Sequence, residues 1–125
     1  MHILMCNDDG ILADGLRHLA SYLSQYYRIT VVAPANEQSA KSHALTTEVP
    51  LKLDACNGED ENPRLYALTG TPSDCMKFGL SYLLADDMPD LVISGINHGF
   101  NLGSDVLYSG TVSAAMESGF YGIPV

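Results

Sequence analysis

The fold is decided by the first ten residues, MHILMCNDDG (residues 1–10). Residues 2–6 are apolar enough to run through the middle of a sheet, and the chain must then turn. Two adjacent carboxylates, Asp8 and Asp9, lie in that turn. Open α/β sheets bind ligands outside the carboxyl ends of their strands, and a divalent cation is the usual counter-charge for paired carboxylates. Turn chemistry alone also explains this composition, so both interpretations stay open at this point.

The composition describes one folded domain, residues 1–125. A chain of 125 residues with 46% hydrophobic and 17% charged residues can bury a core of its own. The net charge of −9, with six lysines and arginines in total, argues against a broad basic surface for duplex nucleic acid. An anionic substrate would therefore need a metal ion or backbone amides to hold it.

The sequence also predicts the cellular compartment of the protein. The longest apolar runs are strand-length, so no membrane span is expected, and no basic region precedes the first apolar stretch as in a secretory signal. The three cysteines, Cys6, Cys56 and Cys75, show no close pairing that would predict a disulfide framework or a zinc knuckle. We expect a cytoplasmic protein.

Strand and helix signals alternate along the chain, which predicts a mainly parallel sheet with helices on both faces. The predicted strands are residues 2–6, 28–33 and 90–94, and the predicted helices are residues 14 to about 26, 72–85 and about 111–119. Residues 44–54 and 65–68 predict the two arms of a β-hairpin. Thr71 is the predicted N-cap of the helix that Pro72 begins. The final GIPV (122–125) is typical of the start of another buried strand, so we expect the C-terminal part of a longer protein to be absent.

Three further segments carry candidate chemistry. They are APANEQSA (33–40) and SGINHGFNLG (94–103), which follow predicted strands, and YSGTV (108–112), which begins a helix. Glycines let a backbone approach a ligand closely, asparagine oxygens ligate hard cations, and free amides at a helix start bind phosphate. The alternatives are a connecting loop, a flexible linker and simple N-capping by Ser109 or Thr111. The coincidence of all three at one edge of one sheet favours a site.

Five ordered blocks carry a resemblance that covers essentially the whole chain: NDDG (7–10), AP with SA (33–34 and 39–40), GTPSDC (70–75), SGINHGFNLG (94–103) and YSGT (108–111). Together they resemble the SurE family of stationary-phase survival proteins, which are metal-dependent 5′/3′-nucleotidases. The resemblance implies a Rossmann-like, three-layer α/β fold with a mainly parallel sheet and a β-hairpin insertion. It also implies hydrolysis of nucleoside 5′- and 3′-monophosphates with one divalent cation, Mg²⁺ or Mn²⁺, per subunit, and a homodimer or homotetramer in the full-length form.

The resemblance also implies roles for named residues. The metal ligands carry over to Asp8, Asp9, Ser39 and Asn97, and the catalytic residues to Asp8, Asp9 and Asn97. The phosphate-binding residues carry over to Asn101, Ser109, Gly110 and Thr111. One departure is Ser118, which stands where the family usually has glycine and which we expect to be a harmless surface change. Family members are also considerably longer than this chain.

Other functions and residues stay open from the sequence. One alternative is a non-catalytic module that binds a nucleotide or a metal ion. A dinucleotide-dependent oxidoreductase or a P-loop phosphotransferase is disfavoured, because neither Gly-x-Gly-x-x-Gly after the first strand nor Gly-Lys-Ser/Thr is present. His43 and His98 are further acid–base candidates, Cys75 is expected to be a packed core thiol, and Asp74 is expected to stabilise a helix start. The sequence does not decide whether Asp8 or Asp9 orients an attacking water.

Overall fold

One mixed sheet of five strands organises the structure, in the order β3-β4-β2-β1-β5. The strands are β1 (His2–Cys6), β2 (Arg28–Pro34), β3 (Leu53–Ala55), β4 (Arg64–Leu68) and β5 (Leu91–Ser94). β1 pairs in parallel with β2 and β5, β2 pairs in parallel with β4, and β3 is antiparallel to β4. The computed structural model describes residues 1–38 and 44–125.

Helices cover both faces of this sheet, so the predicted Rossmann-like, three-layer α/β fold is confirmed. They are α1 (Asp14–Leu23), α2 (Pro72–Phe78) and α3 (Gly110–Gly119), with a π-helical turn at Gly79–Leu83 and a 3₁₀ helix at Gly103–Tyr108. Alternate residues of β1 face opposite layers: Ile3 and Met5 pack with the α1 side, whereas Leu4 and Cys6 pack with α2 and α3. All five residues of β1 are buried because both faces of the strand are covered.

The predicted hairpin exists as β3 and β4, but its first arm is shorter than residues 44–54. β3 has three residues, and the segment before it is bound elsewhere. Thr46 donates its backbone N–H and its hydroxyl to Asp74, at 2.9 and 2.6 Å, and the Thr71 hydroxyl donates to the Ala44 carbonyl. These bonds hold Ala44 and Thr46 against the start of α2 instead of in the sheet.

Three smaller expectations also need correction. The helix predicted at 72–85 changes to a π-helical turn after Phe78. Residues 122–125 form no strand, although the Val92 N–H donates to the Pro124 carbonyl at 2.8 Å and places the segment beside β5. Ser118 is not at the surface: it is fully buried, and its hydroxyl donates to the Ala115 carbonyl one turn earlier, which satisfies it inside α3. No helix in the described part of the chain is long and apolar enough to cross a membrane.

The strand order creates a crevice at the carboxyl end of β1. From β1 the chain proceeds to β2 and then β4 on one side, and afterwards returns to β5 on the other side of β1. The boundary between β1 and β5 is therefore a topological switch point, where loops diverge and leave a crevice for ligands. Because β1, β2 and β5 are parallel, the loops that follow them all leave the sheet on the side of this crevice.

At the amino end of β1 lies a buried histidine, His2, whose hydrogen-bond partners define the tautomer of its neutral form. Arg28 Nη2 lies 2.8 Å from His2 Nδ1, and a guanidinium can only donate, so Nδ1 accepts. Nε2 therefore carries the hydrogen and donates to the Thr30 hydroxyl at 2.9 Å. Burial, and next the charge of Arg28, lower the pKa of His2; Arg64 acts in the same direction, and Asp87 opposes it. The folded protein thus favours neutral His2.

We expect this histidine to make the protein less stable in mild acid. Because the folded pKa lies below the ordinary value of about 6.5, the unfolded chain takes up the proton first as the pH falls. The His2 contribution to the free energy of unfolding is then complete above pH 6.5 and declines below it. Urea unfolding between pH 8 and pH 5 measures the decline, which should shrink in His2→Gln. An exposed histidine on α1 provides the control: a similar change in His18→Gln would contradict the assignment to His2.

Candidate active site

The Asp8–Asp9 turn is held by the Asn7 side chain and by the end of β2 and the loop that follows it. Asn7 Oδ1 accepts the Gly10 N–H at 3.1 Å, which closes the turn, and Gly10 adopts a φ of +101° that favours glycine. The Gln38 N–H donates to the Asp8 carbonyl at 2.8 Å, and the Ile11 N–H donates to the Pro34 carbonyl at 2.9 Å. The turn interpretation is therefore correct, and the same turn holds two carboxylates at the carboxyl end of β1.

Asp8 is tied to the start of α3. Its Oδ1 accepts the Thr111 hydroxyl at 2.9 Å, and the Thr111 carbonyl accepts the Ser94 hydroxyl at 2.6 Å. A Cβ at Gly110 would lie 2.6 Å from the Asp8 Cβ, so this close approach of helix to turn requires glycine. α3, β5 and the Asp8 turn thus form one connected unit.

Asp9 and Asn97 are tied to the loop after β5. The His98 N–H donates to Asp9 Oδ2 at 3.0 Å. Asn97 donates its Nδ2 to the Gly99 carbonyl at 3.1 Å and to Asn101 Oδ1 at 3.4 Å. Since both of these bonds engage the amide nitrogen of Asn97, its Oδ1 is the atom left to serve as an acceptor.

Two open clefts meet at this loop. One, of about 400 Å³, is lined by Asp9, Glu37 and the first residues of α1. The other, of about 280 Å³, is lined by Asp8, Asn101, Ser109 and the aromatic residues Phe100 and Tyr108. Asn97 and His98 line both clefts, so the loop after β5 forms the wall between them.

The donor set fits a hard divalent cation. No lysine or arginine within residues 1–38 and 44–125 forms an ion pair with Asp8 or Asp9. Each carboxylate has one oxygen held by the chain and a second oxygen without a hydrogen bond to a described residue. The described part also contains no group of three or more His, Cys, Asp and Glu side chains that could hold a metal ion. Two carboxylates with neutral oxygens suit Mg²⁺ or Mn²⁺ rather than zinc. The predicted ligand Ser39 and the acid–base candidate His43 lie outside the described residues.

The hydroxyls predicted to bind phosphate are used within the chain. Ser109 is the N-cap of α3, and its Oγ accepts the Val112 N–H at 3.2 Å, which is the N-capping alternative. The Thr111 hydroxyl is committed to Asp8. By helix geometry, the N–H groups of Gly110 and Thr111 have no acceptor inside α3, and a helix N-terminus attracts anions. Backbone amides are thus the better candidates for phosphate contact at this helix start.

Three other residues with predicted roles line neither cleft. Asp74 and Thr71 form a reciprocal capping box at the start of α2, as expected of a carboxylate stabilising a helix start. Cys75 is buried against Cys6, and burial raises the pKa of its thiol, as expected of a core cysteine. Glu37 and Ser94 lie in the candidate segments 33–40 and 94–103, but sequence reasoning assigned neither of them a role of its own. Ser94 could have been found as the last residue of its strand, since that strand was expected to end at the site.

The family model described as Survival protein SurE matches residues 3–125. The chain belongs to the SurE family. Similar proteins named 5′-nucleotidase SurE occur in Thermoanaerobacter sp. (strain X514), with 55% identity over 124 residues, and in Thermosipho africanus (strain TCF52B), with 53% identity over 127 residues. Each alignment covers 99% of this chain and 48% of the relative.

A solved structure of the family has the same fold. The crystal structure of the SurE protein from Aquifex aeolicus matches with a TM-score of 0.86 and 43% identity, over 99% of this chain and 48% of that one. The chain therefore spans about half the length of the relatives it matches.

The contact between Gly110 and Asp8 yields a stability prediction. Gly110→Ala places a methyl group 2.6 Å from the Asp8 Cβ and 3.0 Å from Pro72 Cγ, so we expect a loss of about 1–3 kcal/mol in the free energy of unfolding. Urea denaturation measures it. Gly119→Ala in the same helix is the matched control, because nothing lies within 4 Å of a Cβ there. That change should be neutral or stabilise by up to about 1 kcal/mol, and equal effects at both positions would contradict the close contact.

Proposed function

We propose that the chain carries the metal- and phosphate-binding site of a phosphomonoester hydrolase acting on nucleoside 5′- and 3′-monophosphates. The observation that carries the proposal is the pair Asp8–Asp9, which lies at the switch point without a basic partner in the described part of the chain. The names of the similar proteins, 5′-nucleotidase SurE, support the substrate class. The products would be a nucleoside and inorganic phosphate.

Charge explains why a cation belongs in this reaction. A phosphomonoester is a dianion near neutral pH, and water must attack a phosphorus shielded by negative oxygens. Asp8, Asp9 and Glu37 would repel that dianion from the clefts they line. A bound Mg²⁺ or Mn²⁺ neutralises phosphoryl oxygens and lowers the pKa of a bound water. One such ion per subunit would be held by Asp8, Asp9 and Asn97, and Ser39 stays a further ligand predicted from the sequence.

The chain's own residues prepare this site before substrate arrives. The Thr111 hydroxyl holds the Asp8 carboxylate, and the His98 N–H holds the Asp9 carboxylate. Groups held in advance need no reorganisation as charge develops in the transition state. The amides at the start of α3 and the Asn101 side chain would bind phosphoryl oxygens, and one of the two carboxylates would orient the attacking water. Action in the cytoplasm and assembly into a homodimer or homotetramer stay predictions.

Activity and metal dependence are tested together. Phosphate release from adenosine 5′- and 3′-monophosphate should require Mg²⁺ or Mn²⁺ and stop in excess chelator. Asp9→Asn should lower kcat/KM by about 100-fold or more, the scale seen when one preorganised group is removed from an active site. Asp60→Asn is the control, because it makes the same charge change in the exposed turn between β3 and β4. Its kcat/KM should stay near the wild-type value. Equal hydrolysis in chelator, or by Asp9→Asn, would contradict the proposal.

Binding measurements separate catalysis from the non-catalytic alternative. Calorimetric titration with Mn²⁺ should show one site per chain that Asp9→Asn weakens and Asp60→Asn does not. If Mn²⁺ and the nucleotide bind in this way while no phosphate is released, the chain is a metal- and nucleotide-binding module and the hydrolase proposal fails. If Mn²⁺ binds wild type and Asp9→Asn equally, the metal site itself is wrong.

A further inference from the structure

Phe100 is the most exposed large hydrophobic residue beside the candidate site. Its exposed fraction is 88%, and it lies in the loop that carries Asn97 and His98. Single exposed hydrophobic residues are common on protein surfaces and need no explanation by themselves. Phe100 differs in its position, because it lines the 280 Å³ cleft together with Asp8 and Asn101.

The loop holds Phe100 between two anchored neighbours. The Asn97 amide donates to the Gly99 carbonyl on one side of Phe100 and to the Asn101 side chain on the other. Asn97 therefore bonds to both residues that flank Phe100, so the side chain proposed as a metal ligand also restrains the chain on either side of the aromatic residue. Gly99 has a φ of +127°, a conformation that turns the chain sharply just before the ring.

The cleft has a polar part and an aromatic part. Asp8, Asn101 and Ser109 provide the polar lining, and Phe100 and Tyr108 provide the aromatic lining. A nucleoside monophosphate is divided in the same way, into a charged phosphate and a flat base joined by a ribose. Aromatic side chains bind bases by stacking, which is largely independent of base identity because every base has a π face.

We propose that Phe100 is a stacking platform for the nucleobase and makes the site prefer nucleoside monophosphates to phosphomonoesters that lack a base. This inference rests on the proposed function and deepens it by naming a residue that determines specificity. Tyr108 lines the same cleft and is the second aromatic surface available to the base. The platform would select for the presence of a base and discriminate weakly among different bases.

The test compares adenosine 5′-monophosphate with ribose 5-phosphate, which differ in the base. The measured quantity is the ratio of kcat/KM for the two substrates. Phe100→Ala should lower the ratio about tenfold, as expected for the loss of one base–aromatic stack, and Phe100→Trp should keep it. Leu102→Ala is the matched control, because Leu102 is 68% exposed in the same loop but does not line the cleft. It should leave the ratio unchanged.

Calorimetric affinities and the molar mass of the protein in solution separate the failure of the platform from the failure of the proposed function. If wild type hydrolyses neither compound, the proposed function fails, and calorimetric affinities for the same two compounds then test the platform by the same ratio. A ratio unchanged in Phe100→Ala, or lowered equally by Leu102→Ala, overturns the platform while leaving hydrolysis intact. Light scattering at the assay concentration tests the competing role of Phe100 as a contact between copies of the chain. A ratio that falls only together with a change in mass also overturns the proposal.

Discussion

The contact between Asp8 and the start of α3 is the constraint on which the rest of the site depends. Gly110 allows the helix to approach until its Cα region touches the Asp8 side chain, and the Thr111 hydroxyl then holds one carboxylate oxygen. Ser94, at the end of β5, binds the Thr111 carbonyl and completes the link to the sheet. Without this approach, the paired carboxylates would lie in an ordinary surface turn and no helix start would lie beside them.

A second constraint comes from the loop after β5, which serves both clefts. Asn97 organises this loop through its amide nitrogen, and the His98 N–H fixes Asp9. One short segment therefore connects the proposed cation ligands, the phosphate-binding region and the aromatic surface of Phe100. One segment can contact all three regions because it leaves the sheet beside β1 at the switch point.

The hydrogen bonds at the site orient the two carboxylates and leave their negative charge in place. The hydrogen bonds to Asp8 and Asp9 come from neutral donors, a hydroxyl and a backbone N–H, which orient the carboxylates without cancelling their charge. The His2 cluster at the other end of β1 shows the contrasting arrangement, in which Arg28 is paired with Asp87 and the histidine is kept neutral. The same strand thus has a charge-compensated cluster at its amino end. At its carboxyl end lie two carboxylates that form no ion pair with a lysine or arginine of the described residues.

Local patterns predicted much of the fold because their causes are local. The apolar run of β1, the Thr71 cap before Pro72 and the β-branched strand β2 depend on near neighbours in sequence. Predictions failed where distant partners decide. The segment before β3 binds Asp74, 28 residues further along the chain. The expectation for Ser118 failed for a different, local reason: its hydroxyl bonds to the Ala115 carbonyl inside α3, which satisfies it in the core.

By itself the sequence determined that this is an α/β protein of the SurE type, with a pair of carboxylates after its first strand and a hydroxyl-rich helix start near its end. Only the tertiary structure decided how those groups are used. It committed the Thr111 hydroxyl to Asp8, and it placed Phe100 at the cleft. The physical reason is that the residue type alone fixes the chemical groups of a side chain. Its hydrogen-bond partner and its exposure depend on chain segments that can be far away in sequence, as Asp8 is 103 residues from Thr111.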